Sequence, residues 1–320
     1  MKKILLTILA VAVLLISGLA GYTKIALPNV GAAPEINVER TPERVARGEY
    51  LANNVAVCMD CHSSRDWNYF AGPPIPGTLG KGGERFDQMF GFPGVYYSKN
   101  ITPAGISKWT DGELFRLITT GVKKDGSAIF PVMPFPYYAR MDEEDIKSII
   151  AYIRTLPTIE NQVAASKSDF PMNFIINTIP KKATPGKKPD PAETVKYGEY
   201  LTNAAACMEC HTPVNNGQVI PDLAFSGGRE FPFPSGDIVR SRNITPDQET
   251  GIGDMSRPAF VNLFKQKKAA ARKPAEPGLN TMMPWSMYAG MSDRDLGAIY
   301  DYLMSVKPIS NRVVTFQPHK

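Results

Sequence analysis

The sequence is poor in cysteine: four in 320 residues are too few to staple a chain of this length with disulfides. It lacks a long arginine run, and its 36 Lys and Arg stand against 31 Asp and Glu, so the net charge of +5 is a weak pointer to nucleic acid. Past residue 20 no apolar stretch is long enough to cross a bilayer, which excludes a membrane bundle. No Cys follows the first apolar stretch, which excludes a lipoprotein anchor. No Ser-His-Asp set, paired-carboxylate site or phosphate-binding loop stands out. What is present, 43% hydrophobic and 21% charged residues, suits a folded globular protein long enough for two domains.

Met1, Lys2 and Lys3 form a short positive segment, and Ile4 to Ala20 is apolar apart from Thr7 and Ser17. The run ends in Gly18-Leu19-Ala20, a small-x-small site of the kind a signal peptidase cuts. Residues 1–20 are therefore a signal peptide or a retained membrane anchor. Either way the bulk of the chain is expected outside the cytoplasmic membrane, in the periplasm or on the membrane's outer face.

The chain matches itself at an offset near 150 residues, in order. Arg47-Gly48-Glu49-Tyr50-Leu51 answers Tyr197-Gly198-Glu199-Tyr200-Leu201. Cys58-Met59-Asp60-Cys61-His62 answers Cys207-Met208-Glu209-Cys210-His211 at an offset of 149. Asn100-Ile101-Thr102-Pro103 answers Asn243-Ile244-Thr245-Pro246, Met133-Pro134 answers Met283-Pro284, and Tyr152 answers Tyr302. This predicts tandem domains over 42–160 and 190–320. Residues 161–189 form the linker between them, with Ala164 to Lys188, rich in Lys and Pro, lacking a counterpart.

Each repeat is expected to be mainly α with long loops. Thr41-Pro42 and Asp190-Pro191 place a capping side chain before a proline at the first helical position. Thr110 with Glu113 makes a capping box for a middle helix, Leu114 to Val122. Asp142 and Ser292 cap last helices whose apolar residues fall at helical spacing: Ile146, Ile149, Ile150 and Ile153, and Leu296, Ile299, Tyr300 and Leu303. Gly48 and Gly198 lack side chains where a first helix could cross a last helix closely. Loops such as Gly72 to Gly94 are rich in Gly and Pro, so protein side chains alone would fill each half poorly.

Cys, two residues, Cys, then His is the attachment pattern for c-type haem. On a helical turn positions i, i+3 and i+4 share a face, so both thiols and the imidazole point one way. Cys58 and Cys61 can then form thioethers to the haem vinyl groups while His62 supplies a nitrogen to iron, and Cys207, Cys210 and His211 can do the same. Two disulfides, a four-Cys zinc site or a redox Cys pair would not need the His. Chance placement of two of three histidines directly after the Cys pairs has odds of roughly 1 in 10,000. Two covalently bound c-type haems are expected.

The remaining histidine is His319, so bis-His ligation of both irons is impossible within the chain. Two aligned Met pairs offer the sixth ligand, Met133 with Met283 and Met141 with Met291. Met141 and Met291 directly precede the capping residues, where a hydrophobic staple packs on Ile146 and Leu296. Met133 and Met283 lie in loops, each followed by Pro, in extended segments able to aim a thioether inward. Met133 and Met283 are therefore the assigned axial ligands, with Met282 and Met141 as nearest rivals. His/Met ligation fills both axial positions and raises the potential relative to bis-His, which favours one-electron exchange over substrate chemistry. Lys99 and Arg242, each just before an Asn-Ile-Thr-Pro segment, are either propionate partners or solvated cations. Lys265, Lys267, Lys268, Arg272 and Lys273 form a basic cluster that is either a solvated helix face or a docking point for an acidic redox partner.

Both halves resemble class I cytochrome c domains over about residues 42 to 160 and 190 to 310. That resemblance implies helices packed around haem, with a crossing of first and last helices at Gly48/Tyr152 and Gly198/Tyr302. Asn243-Ile244-Thr245-Pro246-Asp247 with Thr250-Gly251-Ile252-Gly253, followed by Met283-Pro284, resembles the multihaem cytochrome subunits of membrane-bound alcohol, aldehyde and gluconate dehydrogenases. Such subunits take electrons from a catalytic subunit and pass them to the respiratory chain. This chain has two haem motifs where those typically have three, and its first repeat shortens the motif to Asn100-Ile101-Thr102-Pro103-Ala104-Gly105. The leading expectation is a dihaem electron-transfer protein, itself no enzyme, working with redox partner proteins. A dehydrogenase cytochrome subunit is the alternative, and a dihaem peroxidase, which needs an open iron, is a more distant one.

Overall fold

Short capped helices carry most of the regular structure, and about 42% of the chain is helical. The computed structural model describes residues 1–271, 273–274 and 280–319. The first half contains α1 (Lys2–Ile25), α2 (Pro42–Tyr50), a π turn (Leu51–Val55), α3 (Cys58–Cys61), β1 (Arg85–Phe86) and β2 (Gly94–Tyr97). It continues with α4 (Pro103–Ile106), α5 (Asp111–Thr120), α6 (Phe135–Tyr138), α7 (Glu143–Ile153) and β3 (Lys167–Ser168), after which α8 (Met172–Ile175) leads out. The second half contains α9 (Thr194–Ala204), α10 (Cys207–His211), β4 (Val214–Asn215), β5 (Gln218–Val219), β6 (Glu230–Pro232) and β7 (Ile238–Arg240). It ends with α11 (Arg257–Ala270), α12 (Trp285–Tyr288), α13 (Asp293–Ser305) and β8 (Phe316–Gln317).

The caps act as their side chains dictate. Thr41 Oγ1 accepts from the Arg44 amide, Asp142 from Glu144 and Ser292 from Asp295, while Thr110 and Glu113 form a complete capping box. The box starts its helix at Asp111, and Gly121, in the left-handed region, ends it at Thr120, ahead of the expected Val122. Asp190 does not cap a helix. Its carboxylate accepts from the Ala192 amide in a local turn, and α9 begins only at Thr194.

In each half the first helix crosses the last. A Cβ at Gly48 would overlap the carbonyl oxygen of Ser148, and one at Gly198 that of Ala298; Tyr152 and Tyr302 flank the same two contacts. Ile146, Ile149, Ile150 and Ile153 are all buried along α7, as are Leu296, Ile299 and Leu303 along α13. At roughly 1.5–3 kcal/mol per buried aliphatic side chain, this packing holds helices of 11 and 13 residues that would be marginal alone.

The slip in repeat offset from 150 to 149 has a structural cause. Between Leu51 and Cys58 the first half has one residue more than the second, and it absorbs that residue as a π turn in which the Ala56 amide reaches back to the Leu51 carbonyl. In the second half the matching Ala205 amide bonds Leu201 in an ordinary α turn.

The sheets reach into the expected linker. β3 pairs antiparallel with β2, which pairs with β1, and β8 pairs in the same way with β7 beside β6. Residues 161–168, expected to be linker, therefore close the first half, as 311–317 close the second. Asn161 and Asn311 make matching bonds, to the carbonyls of Lys81 and Ser226. Two-residue strands are too short to leave a period in the sequence.

The halves share one hydrophobic core. Tyr50 donates to Asp295 Oδ2 (2.6 Å) and accepts from the Ser292 amide (3.0 Å); Tyr200 donates to Asp145 Oδ2 (2.7 Å) and accepts from the Asp142 amide (3.3 Å). Each half thus ties its first helix to the cap of the other half's last helix. Arg47 adds a two-pronged pair to Asp145 (2.7 and 2.9 Å) on the first half's side only, because its counterpart is Tyr197.

Candidate cofactor-attachment sites

The two Cys-x-x-Cys-His turns start alike. Val57 and Ala206 sit in the left-handed region (φ 45° and 50°), which breaks the preceding helix and turns the chain into α3 and α10. The His62 amide then bonds the Cys58 carbonyl (3.0 Å), so Cys58, Cys61 and His62 occupy one turn with their side chains on one face.

Each imidazole is oriented by a backbone carbonyl. His62 Nδ1 lies 2.6 Å from the Lys99 oxygen, and His211 Nδ1 lies 2.8 Å from the Arg242 oxygen. A carbonyl only accepts, so Nδ1 carries the proton and Nε2 keeps its lone pair. Burial pushes both imidazole pKa values down and keeps the rings neutral, as an iron ligand must be.

The carbonyls are fixed by the Asn-Ile-Thr-Pro segments that follow them. Asn100 Oδ1 accepts from the Thr102 amide (2.9 Å) and hydroxyl (2.7 Å), while Nδ2 donates to the Ile159 carbonyl (2.8 Å). Asn243 does the same with Thr245 (2.9 and 2.8 Å) and Ile309 (2.7 Å). All four side chains are buried. From the other side, the Gly82 amide bonds the His62 carbonyl and the Gly227 amide bonds that of His211. A Cβ on either glycine would collide with the Lys99 or Arg242 backbone, and both have positive φ. The repeat made these segments visible in the sequence; their task, holding a histidine through the preceding carbonyl, was not.

Burial raises the Cys58, Cys61 and Cys207 thiols to about 12, so without a bound group they stay protonated and are not the low-pKa thiolates of a reactive redox pair. All four cysteines are free, and among the described residues no three His, Cys, Asp or Glu side chains converge as ligands for a metal ion. The zinc and disulfide alternatives therefore gain no support from the geometry. A neutral imidazole with a free Nε2 and two cysteines on its face fit covalently held haem.

Met141 and Met291 are fully buried in the shared core. Met133 and Met283 are part-exposed and border that core, each turning into a short helix through Pro134 or Pro284. Those short helices, α6 and α12, hang their tyrosines over the attachment turns: Tyr138 donates to the Ala56 carbonyl (2.9 Å) and Tyr288 to Ala205 (3.0 Å). Tyr137 bonds Glu209, inside the second Cys pair (3.2 Å), a link between the halves that sequence gave no sign of.

Several of these cations also make contacts within the fold. Lys99 donates its ammonium to the Ala164 carbonyl (2.6 Å), and it is the backbone of Lys99 and Arg242, not the side chain, that reaches the histidines. Lys265 bonds the Met291 carbonyl and pairs with Asp293, and Lys267 lies over the Phe70 and Trp285 rings (5.0 and 5.6 Å). That cluster is thus partly spent inside the fold; Arg272 lies outside the described residues. His319 belongs to the second half's sheet end, where its amide bonds Asp237.

No family model matches the chain. It is 29% identical over 294 residues to the fructose dehydrogenase cytochrome subunit of Gluconobacter japonicus, covering 87% of this chain and 56% of the relative. It is 27% identical over 282 residues to the cytochrome c subunit of alcohol dehydrogenase (quinone) of Gluconacetobacter polyoxogenes, covering 83% and 56%. The chain thus spans little more than half the length of these relatives. A diheme cytochrome c-type protein of Cereibacter sphaeroides is 28% identical over 308 residues, covering 93% of this chain and 97% of the relative. The homologues of this chain are therefore cytochrome c subunits of dehydrogenases and a diheme c-type cytochrome, at modest identity over most of its length.

Proposed function

We propose that the chain is an exported dihaem c-type cytochrome that relays single electrons in a periplasmic or membrane respiratory chain, built from two tandem class I cytochrome c domains. The first runs from residue 42 through β3 and the second from residue 190. Cys58 and Cys61, and Cys207 and Cys210, carry the haems covalently; His62 and His211 are the proximal ligands, and Met133 and Met283 the distal ones. The observation that carries this reading is the matched pair of imidazoles, each with Nδ1 committed to a backbone carbonyl and Nε2 left to bind.

Haem held there supplies reversible one-electron exchange. The chain's contribution is rigidity: Cys58, Cys61, Cys207 and Cys210 would hold the haems against loss, the Asn-Ile-Thr-Pro clamps fix the carbonyls that orient His62 and His211, and Met133 and Met283, on loops followed by proline, would complete the ligand sets. Ligands that stay bound in both oxidation states keep reorganisation small. The test is haem quantified per chain, with the methionine-to-ferric-iron charge-transfer band recorded for wild type, Met133→Ala and Met283→Ala. Two haems, with each substitution removing about half the band, is the expected result. A wild-type haem lacking the band would overturn the closed-relay reading and favour a peroxidase-type enzyme.

A second reading, that this cytochrome is the electron-accepting subunit of a dehydrogenase complex, is favoured by the names of the fructose and alcohol dehydrogenase relatives. The end-to-end match with the diheme relative favours an independent carrier. Co-purification from native membranes of a stoichiometric, larger catalytic chain separates the two.

A further inference from the structure

We propose that the segment after β3, residues 169–182, lies in the surface of the bilayer beside the end of α1 and forms a second membrane contact. The inference rests on α1 being a membrane helix. α1 is 24 residues long with a mean hydropathy of 2.7 over its most apolar window, none of that window is covered by the rest of the protein, and Lys2 and Lys3 mark its starting end. At about 1.5 Å per residue it extends some 36 Å, slightly more than the roughly 30 Å hydrocarbon core. Thr23 and Lys24 therefore lie at the level of the head groups.

The later segment is fastened at that level. Lys24 donates its ammonium to the Asn173 carbonyl (2.6 Å) and lies over the Phe174 ring (4.9 Å), and Asn177 Nδ2 donates to the Thr23 carbonyl (3.0 Å). Around this junction apolar side chains face outward. Phe170 is 82% exposed, its ring edge-on to Phe174, and Ile175 is 43% exposed. Met89 is half-exposed and is drawn into the same patch by the bond from Gln88 to Asp169 (2.6 Å). Tyr22 and Ile25 complete the rim. A phenylalanine this exposed is out of place in water but suits the boundary between head groups and acyl chains. Lys167, Lys181 and Lys182, all exposed, flank the patch with the charge that attracts anionic head groups. The partner is thus a lipid surface, continuous with the lipid around α1, and the contact would hold the first half close to the membrane while leaving the second half free to face soluble partners.

The test is nitroxide labelling of the full-length holoprotein in vesicles of phosphatidylethanolamine and phosphatidylglycerol, at Leu14→Cys, Phe170→Cys, Ile175→Cys and Val314→Cys in turn. Each label is read by its collisions with oxygen, which enters lipid, and with a water-soluble nickel chelate. The expected result is a several-fold higher oxygen-to-nickel ratio at 170 and 175 than at 314, with 14 higher still. Labels at 170 and 175 as open to nickel as 314, while 14 is protected, would overturn the proposal and leave the anchor standing. Exposure of 14 as well would overturn both.

Discussion

Asn100 and Asn243 are the most informative residues to remove. Asn100→Ala deletes an acceptor shared by two buried donors of Thr102 and a donor to the Ile159 carbonyl. The Thr102 hydroxyl can turn to Ile159, which already lies 3.3 Å away, but the Thr102 amide is left without a partner. An orphaned buried donor costs about 1–3 kcal/mol and each lost bond about 1 kcal/mol, so the expected loss is roughly 3 kcal/mol. In a unit of this size that lowers the thermal midpoint by roughly 6–12 °C. Denaturant titration should show the same loss as a lower midpoint at unchanged slope. The second readout is specific to the argument: because Asn100 fixes the Lys99 carbonyl that orients His62, only the first haem's spectrum and potential should shift. Asn243→Ala should mirror this at the second haem. A loss below about 1 kcal/mol would refute the energetic reasoning, and a spectral change at the opposite haem, or at neither, would refute the positioning argument.

Gly48→Ala and Gly198→Ala each drive a methyl into a backbone carbonyl of the opposing helix, and thermal melts should show each costing about 3 kcal/mol or more. Gly227→Ala pushes on the Arg242 carbonyl and should alter the second haem's potential while leaving the first unchanged, as redox titration would reveal. Although burial opposes it, the Arg47 and Tyr200 bonds hold Asp145 below its ordinary value of 3.8. A depressed pKa contributes stability above the unfolded value and loses it as the pH falls through the folded one. Urea midpoints should therefore drop as the pH is lowered from about 5 to below 4, and Asp145→Asn should lose that component while being less stable at pH 7. Tyr200→Phe removes a hydrogen bond to a carboxylate and should cost about 1.5–3 kcal/mol by chemical denaturation.

What the sequence disclosed and what it hid divide by the distance between partners. Thr41, Thr110, Asp142 and Ser292 are legible as caps because each bonds an amide two or three residues on. Asp190 misleads because the same local bond closes a turn instead, with the helix starting after it. The glycine crossings are legible through the repeat, which marks Gly48 and Gly198 as equivalent although neither neighbours its contact. Asn100 and Asn243 are visible for the same reason, but their partners lie 59 and 66 residues away, so the motif shows that something is repeated and not what it does.

The contact between the halves illustrates how far a duplication can be pressed. Tyr50 and Tyr200 are 150 residues apart, and so are Asp145 and Asp295. Once Tyr50 meets Asp295, pseudo-twofold symmetry requires Tyr200 to meet Asp145, because the same patch is used from both sides. The sequence signal was a carboxylate at the third residue of each last helix, on the side that packs inward: Asp145 and Asp295 are 2% and 6% exposed. A buried carboxylate needs a donor, and within its own half Asp295 lacks the arginine that Asp145 has in Arg47, since that position is Tyr197. A 2.6 Å hydrogen bond to its carboxylate comes from Tyr50 of the other half. The Tyr50–Asp295 and Tyr200–Asp145 bonds thus join the two halves on this face in addition to the segment that connects them in sequence.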